Sequence, residues 1–247
     1  MTAEIDMSNN RANFAFIGNR KDIWHGLGSQ LTPDASIETW TKEAGLNWKA
    51  FESEVAYETV EGTKYYTDKK ILFRSDTKQP LSIVGKDYKI VQPTQILEFF
   101  SDLVEFHGMQ LSAAGSLFGG KRFWATAKTG NTIQPVQGDT IDGYLLLVTS
   151  LDGTIATTCK ISSTRVVCNN TLTVALAESG KKVIRKTHRS DWDPQAVKID
   201  MGLVDESWNN FADMLKKMTK TSIPTTDVKK YFQKKFYTPG VLAEDQS

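Results

Sequence analysis

The residues of this sequence best suited to chemistry are cations interleaved with aromatic rings, and the chemistry they suit is the binding of a polyanion. Lys121, Arg122 and Lys128 fall in one stretch, and Lys160 and Arg165 in the next. Lys181, Lys182, Arg185, Lys186 and Arg189 cluster after them. A single-stranded nucleic acid needs such a track for its phosphates, together with aromatic faces on which bases stack. Trp124 and Tyr144 lie in the right stretch to supply those faces. The alternative for the same residues is a solvated sheet face above core aromatics.

The overall charge is only +1, which argues against the strongly basic class of nucleic-acid binders. Its distribution is uneven. Residues 1–120 carry a net −4, residues 121–189 a net +6 and residues 190–247 a net −1. A local basic stripe matters more to an anion than the global sum.

Motifs for catalysis are weaker. Asp76 and Asp87-Tyr88-Lys89 faintly resemble a nuclease arrangement in which carboxylates hold Mg²⁺ and a lysine assists the water, but the pattern is short and common by chance. Cys168 with a distant histidine would make a thiol dyad; the plainer reading is a buried cysteine on a core helix. Cys159 and Cys168 are the two cysteines, and His25, His107 and His188 are scattered, so a four-ligand zinc site is not indicated. Trp24-His25-Gly26-Leu27-Gly28 lacks the further glycines of a phosphate-binding fingerprint and reads as a packed Trp beside a turn. The sequence therefore predicts no catalytic residue, no metal site and no cofactor.

The elements that must position these residues follow from periodicity. Residues 1–22 read as a mobile polar arm, residues 23–220 as the main domain, and residues 221–247 as a last helix and tail. Ser36 precedes a helical face of Ile37, Trp40 and Ala44, which Gly45 can end. Residues 48–60 alternate as a strand. Short strands are expected at Tyr65-Tyr66, Ile71 to Phe73, Leu81 to Val84 and Tyr88 to Val91, then a helix from Pro93. Gly119-Gly120 and Asp152-Gly153 each mark a hairpin. Residues 109–178 thus read as an antiparallel meander followed by one helix, with an Asn of Asn169-Asn170 as its cap. Lys181 to Arg189 reads as a basic strand. From Pro194, Val197, Met201, Val204, Trp208, Phe211, Leu215 and Met218 keep a/d heptad spacing, as in a core helix or a subunit seam. The predicted fold class is α+β: an antiparallel β-meander packed against helices, with a long C-terminal amphipathic helix.

Three of these pieces together resemble a known group. They are Trp24-His25-Gly26-Leu27-Gly28, the stretch Thr164-Arg165-Val166-Val167-Cys168-Asn169-Asn170-Thr171-Leu172, and the basic segment ending in His188. They are similar to the phage/plasmid-like protein family, a domain of unknown function carried by bacteriophages and plasmids. The resemblance runs from about Trp24 to Met218. Members are often longer, so a C-terminal portion is expected to be missing here. It implies a bacterial mobile-element context and supplies no catalytic residues. The meander followed by a helix also resembles, in architecture, the core of Rad52-like single-strand annealing proteins.

The expectation is a DNA-metabolism protein that binds single-stranded DNA and acts in recombination or annealing, working as a homo-oligomer. A Mg²⁺-dependent nuclease and a non-catalytic factor that binds a host protein are the alternatives. No apolar run approaches the roughly 20 residues that span a bilayer, and the polar start lacks a secretory pattern. The expected partner list has no membrane in it, and the expected location is the cytoplasm of the bacterial host.

Overall fold

The computed structural model describes residues 3–178 and 183–200, and single positions between 213 and 230. The fold is α+β, built on a large, mostly antiparallel sheet and a smaller one. The strands are β1 (Phe14–Ile17), β2 (Ser29–Leu31), β3 (Ala50–Thr59), β4 (Gly62–Arg74), β5 (Pro80–Gly85), β6 (Gln110–Leu117), β7 (Arg122–Val136), β8 (Asp139–Ser150), β9 (Thr157–Ser162) and β10 (Val183–Lys186). The helices are α1 (Ile37–Glu43), α2 (Pro93–His107), α3 (Asn169–Ala177) and α4 (Pro194–Asp200). The large sheet has the order β10-β9-β8-β7-β6-β1-β2, and the small one β3-β4-β5.

The meander is the spine. Phe118–Gly120 turns β6 into β7, with Gly119 and Gly120 both at positive φ. A Cβ on Gly120 would lie 2.7 Å from Nη1 of Arg74, so both conformation and space call for glycine there. Side chains alternate between the faces of β7 and β8. Phe123, Ala125, Ala127, Leu145 and Leu147 enter one apolar cluster, beneath α1, α2 and the small sheet. Trp124, Leu146 and Val148 enter a second, beneath α3 and the N-terminal segment. Both faces of the central strands are therefore buried, and the sheet is the middle of three layers.

The helices start where their chemistry allows. The Ser36 side chain accepts the Thr39 N–H at α1, and α1 buries Trp40. Pro93 opens α2, whose Gln92 and Gln95 satisfy each other's backbone in a capping box. Gly108 ends it in the left-handed conformation.

Several sequence expectations change. The segment expected to be a mobile arm holds β1, and Phe14, Ala15 and Phe16 are fully buried between β6 and β2. The short strands expected at Tyr65-Tyr66 and Ile71 to Phe73 are one continuous β4. Tyr88 to Val91 is not a strand, because Tyr88 leaves the small sheet to donate its hydroxyl to the Ser150 carbonyl at 2.7 Å. The long heptad helix is described only as α4; Met201, Val204, Trp208, Phe211, Leu215 and Met218 lie outside the described residues, as does most of 221–247.

Candidate nucleic-acid interface

Strand register decides where the predicted stripe goes. Residues paired across strands share a face. Trp124 pairs with Val148, Val148 with Thr158 and Thr158 with Arg185. Lys128 pairs with Tyr144, and Leu146, two residues on, with Lys160. Arg122, Trp124, Lys128, Tyr144, Lys160 and Arg185 thus stand on one face of the sheet. That face is the floor on which α3 packs, so most of it is interior.

The two rings expected to stack on bases are core residues. Trp124 has no exposed surface; its Nε1 donates to the Val166 carbonyl at 3.2 Å and its ring lies 6.1 Å from that of Phe14. Tyr144 is buried at the rim, and burial pushes its hydroxyl pKa up. Neither presents a face to a base in this fold.

Most of the cations around them are engaged. Lys160 is buried, and its Nζ donates to the carbonyls of Leu176 (3.1 Å) and Glu178 (2.6 Å), where a cation meets the negative end of α3. Arg165 donates to the carbonyls of Ile17 and Ser112, and its buried Nε has no partner among the described residues. Lys128 is paired with Asp142 at 2.6 Å. Arg122 lies 4.8 Å over the Phe118 ring and donates to Thr154 Oγ1. Lys121 sits half-buried in the β6–β7 turn, about 20 Å along β7 from Lys128. Arg185 on β10 and Arg189 beyond it are exposed, and Lys186 is half-buried. Lys181 and Lys182 lie outside the described residues.

A different constellation forms at the seam between the two sheets. A cleft of about 740 Å³ is lined by Lys69 from β4, Lys86 from the turn after β5, and His188 and Arg189 from the segment after β10. Asp68, Asp87, Tyr88 and Gly153 also line it. The Tyr88 and His188 rings stack at 4.4 Å. The Lys89 N–H donates to the His188 carbonyl at 2.6 Å, so the small sheet's exit segment is laced to the chain beyond β10. His188 Nε2 bonds the Ile155 carbonyl at 3.0 Å. Lys86 reaches Asp68 at 3.5 Å, both largely exposed, so that pair leaves the lysine available to an anion. Arg189 belongs to the predicted stripe. Lys69 and Lys86 were not singled out in the sequence, where the only signal was a lysine between the two expected strands at Tyr65-Tyr66 and Ile71 to Phe73 and one in the Gly85-Lys86-Asp87 turn.

The two remaining sequence blocks meet each other. His25 accepts the Leu27 N–H at Nδ1, and its Nε2 bonds the Val167 carbonyl. The Gly28 backbone has φ +92°, and a Cβ there would lie 2.5 Å from the Phe14 carbonyl oxygen. Trp24, expected to pack, is instead exposed, edge-on to His25. The cap of α3 is Cys168 rather than an Asn; the Thr171 hydroxyl accepts the N–H groups of Val167 and Cys168, at 2.9 and 3.0 Å.

The carboxylates do not assemble. Asp76 binds Arg74, which also holds buried Asp6 at 2.7 Å and lies 4.3 Å from the Trp48 ring. Burial pushes the Asp76 carboxyl up, but hydrogen bonds from Arg74, the Thr77 N–H and Asn9 outweigh this and bring its pKa down to about 2. Asp87 lies apart, among the residues that line the cleft. Among the described residues no three His, Cys, Asp or Glu side chains are grouped to hold a metal ion. No described helix is long and apolar enough to cross a membrane.

No curated protein matches the chain, and no solved structure does. A family match runs over residues 80–246, taking in β5, α2, the meander, α3 and most of the cleft, but not the β3–β4 pair. On that match, covering about two thirds of its length, the chain belongs to the family described as a domain of unknown function, DUF932.

Proposed function

We propose that the protein binds single-stranded DNA, without cleaving it, in the cleft between its two sheets. The observation that carries this reading is the convergence of Lys69, Lys86, His188 and Arg189, from three separate chain segments, on one open cleft. Phosphates would sit against the lysines and Arg189. Tyr65, exposed on the same strand as Lys69 and outside the cleft lining, offers a stacking face that Trp124 and Tyr144 do not. The resemblance to phage- and plasmid-borne proteins fits a role in DNA recombination, with complementary strands brought together on an assembly of copies.

Fluorescence anisotropy of a labelled oligonucleotide across a salt series tests this. Wild type binds at low salt, and affinity falls as salt rises. Lys86→Glu with Arg189→Glu lowers both the affinity and the salt slope, the slope by about 1.4 if each cation meets one phosphate. Binding unchanged in that variant removes the cleft as the site; no binding by wild type at low salt removes the function.

A further inference from the structure

We infer that the outer face of the small sheet is a platform on which the bases of a single DNA strand stack as it leaves the cleft. The inference rests on the cleft reading and extends it from phosphate contacts to base contacts. Strand register assigns the two faces of this sheet. Ala50, Leu72 and Val84 are buried in the cluster shared with the large sheet, so the positions alternating with them point outward. Phe51 pairs with Phe73, Ile71 with Ile83, and Lys69 with Gly85, all on that outer face. An antiparallel sheet with one face on a core commonly turns polar residues to water on the other. Here the outward residues are apolar. Phe51 is 45% exposed and Ile83 59%, and the Phe51 and Phe73 rings lie 5.9 Å apart, inclined at 48°. Tyr57, farther along β3 in the same alternation, is 53% exposed. An exposed apolar face of this kind marks a contact.

Charge and continuity name the occupant. Glu52, Glu54 and Glu58 alternate with Phe51 and Tyr57, so the carboxylates of β3 stand on the opposite face. The outer face carries Lys69 instead, exposed and in none of the ion pairs formed among the described residues. Lys64, opposite Tyr57, is held by Glu61 of the turn at 2.7 Å and is not counted on. Lys69 and Gly85 also line the cleft, so cleft and outer face share an edge. A strand whose phosphates meet Lys86 and Arg189 can therefore run past Lys69 onto Phe51 and Phe73. Aromatic rings stack on any base, so this face suits binding without sequence preference. It suits a single strand, because a duplex keeps its base faces stacked inside.

Anisotropy of labelled DNA strands of increasing length, each across a salt series, tests it. With wild type, affinity is expected to keep rising beyond the shortest strand that the cleft holds. Phe51→Leu keeps apolar bulk and removes the ring. It is expected to lower affinity for the longer strands on the order of ten-fold and to leave the salt slope unchanged, since stacking releases no counterions. Phe51→Trp is expected to retain the affinity. Ile83→Glu sets a carboxylate on the same face and is expected to weaken the longer strands as well. Both positions are exposed, and unchanged circular dichroism checks the fold. Photocrosslinking from iodouracil in a long strand, mapped by mass spectrometry, is expected to reach Phe51 or Tyr57. Equal binding of long strands by Phe51→Leu, or crosslinks confined to other parts of the chain, overturns the platform while wild-type binding keeps the cleft; a face that serves a protein partner instead gives that result. No binding of any strand by wild type overturns the cleft, and the platform with it.

Discussion

His25 and Val167, 142 residues apart, are joined by a 3.0 Å hydrogen bond from the imidazole Nε2 to the backbone carbonyl. Nδ1 accepts the Leu27 N–H at 3.1 Å, so the neutral ring carries its proton on Nε2. The bond ties the early glycine-containing turn to the chain entering α3. Replacing His25 with Ala leaves a carbonyl and an N–H without this partner. The expected loss is about 1–3 kcal/mol, read as a lower urea midpoint with an unchanged m-value.

Breaking the buried pair of Arg74 and Asp6 is expected to cost more. Arg74→Met leaves the Asp6 carboxylate buried beside Asn13 and Ser116 without its cation. The expected destabilisation is about 3–5 kcal/mol in denaturant titration.

The same network sets an acid dependence. Burial raises the Asp6 pKa, but the hydrogen bonds it accepts from Ser8, Arg74 and Asn13 outweigh burial and leave it lowered; Asp76 is lowered to about 2. Groups with depressed folded pKa values bind fewer protons folded than unfolded, so stability rises with pH. Their contribution is complete above an ordinary carboxylate pKa of about 4 and declines as pH falls toward 2. Asp76→Asn is expected to flatten thermal stability against pH in that window and to leave it unaltered in shape above.

Lys160 separates structure from binding. Lys160→Met removes the donor to the Leu176 and Glu178 carbonyls at the end of α3. The expected result is a loss of about 1–3 kcal/mol in stability with no change in oligonucleotide affinity or salt slope. A drop in affinity at full folding would return Lys160 to the binding surface.

Both thiols are expected to be silent in the native state. Burial pushes the Cys159 pKa well above its ordinary value, and Cys168 is enclosed at the start of α3. A thiol reagent at neutral pH should label neither at a rate above that of unfolding, and both in denaturant.

The fold was more legible in the sequence than the site. Gly119-Gly120 revealed the central hairpin, because a tight turn is a local property of the chain. β1 was missed because four apolar residues, Phe14 to Ile17, carry no period, and their partners in β6 lie about a hundred residues on. The sequence also drew Trp124, Tyr144 and Lys160 into one basic stretch, and strand register puts them on one face. It cannot tell what covers that face, and α3 does. Of the cleft, Arg189 was anticipated. Lys69 and Lys86 were not, because they meet it only through the packing of the small sheet against the large one.

The place of β1 between β2 and β6 bears on how the chain is made. Phe14 and Phe16 are made about a hundred residues ahead of the strand they pair with, which is finished only when Leu117 has been added. At about 5–20 residues per second, that leaves two bare phenylalanines waiting on the order of 5–20 s. Removing residues 1–17 should leave a groove beside β6 that a synthetic peptide of that stretch can refill.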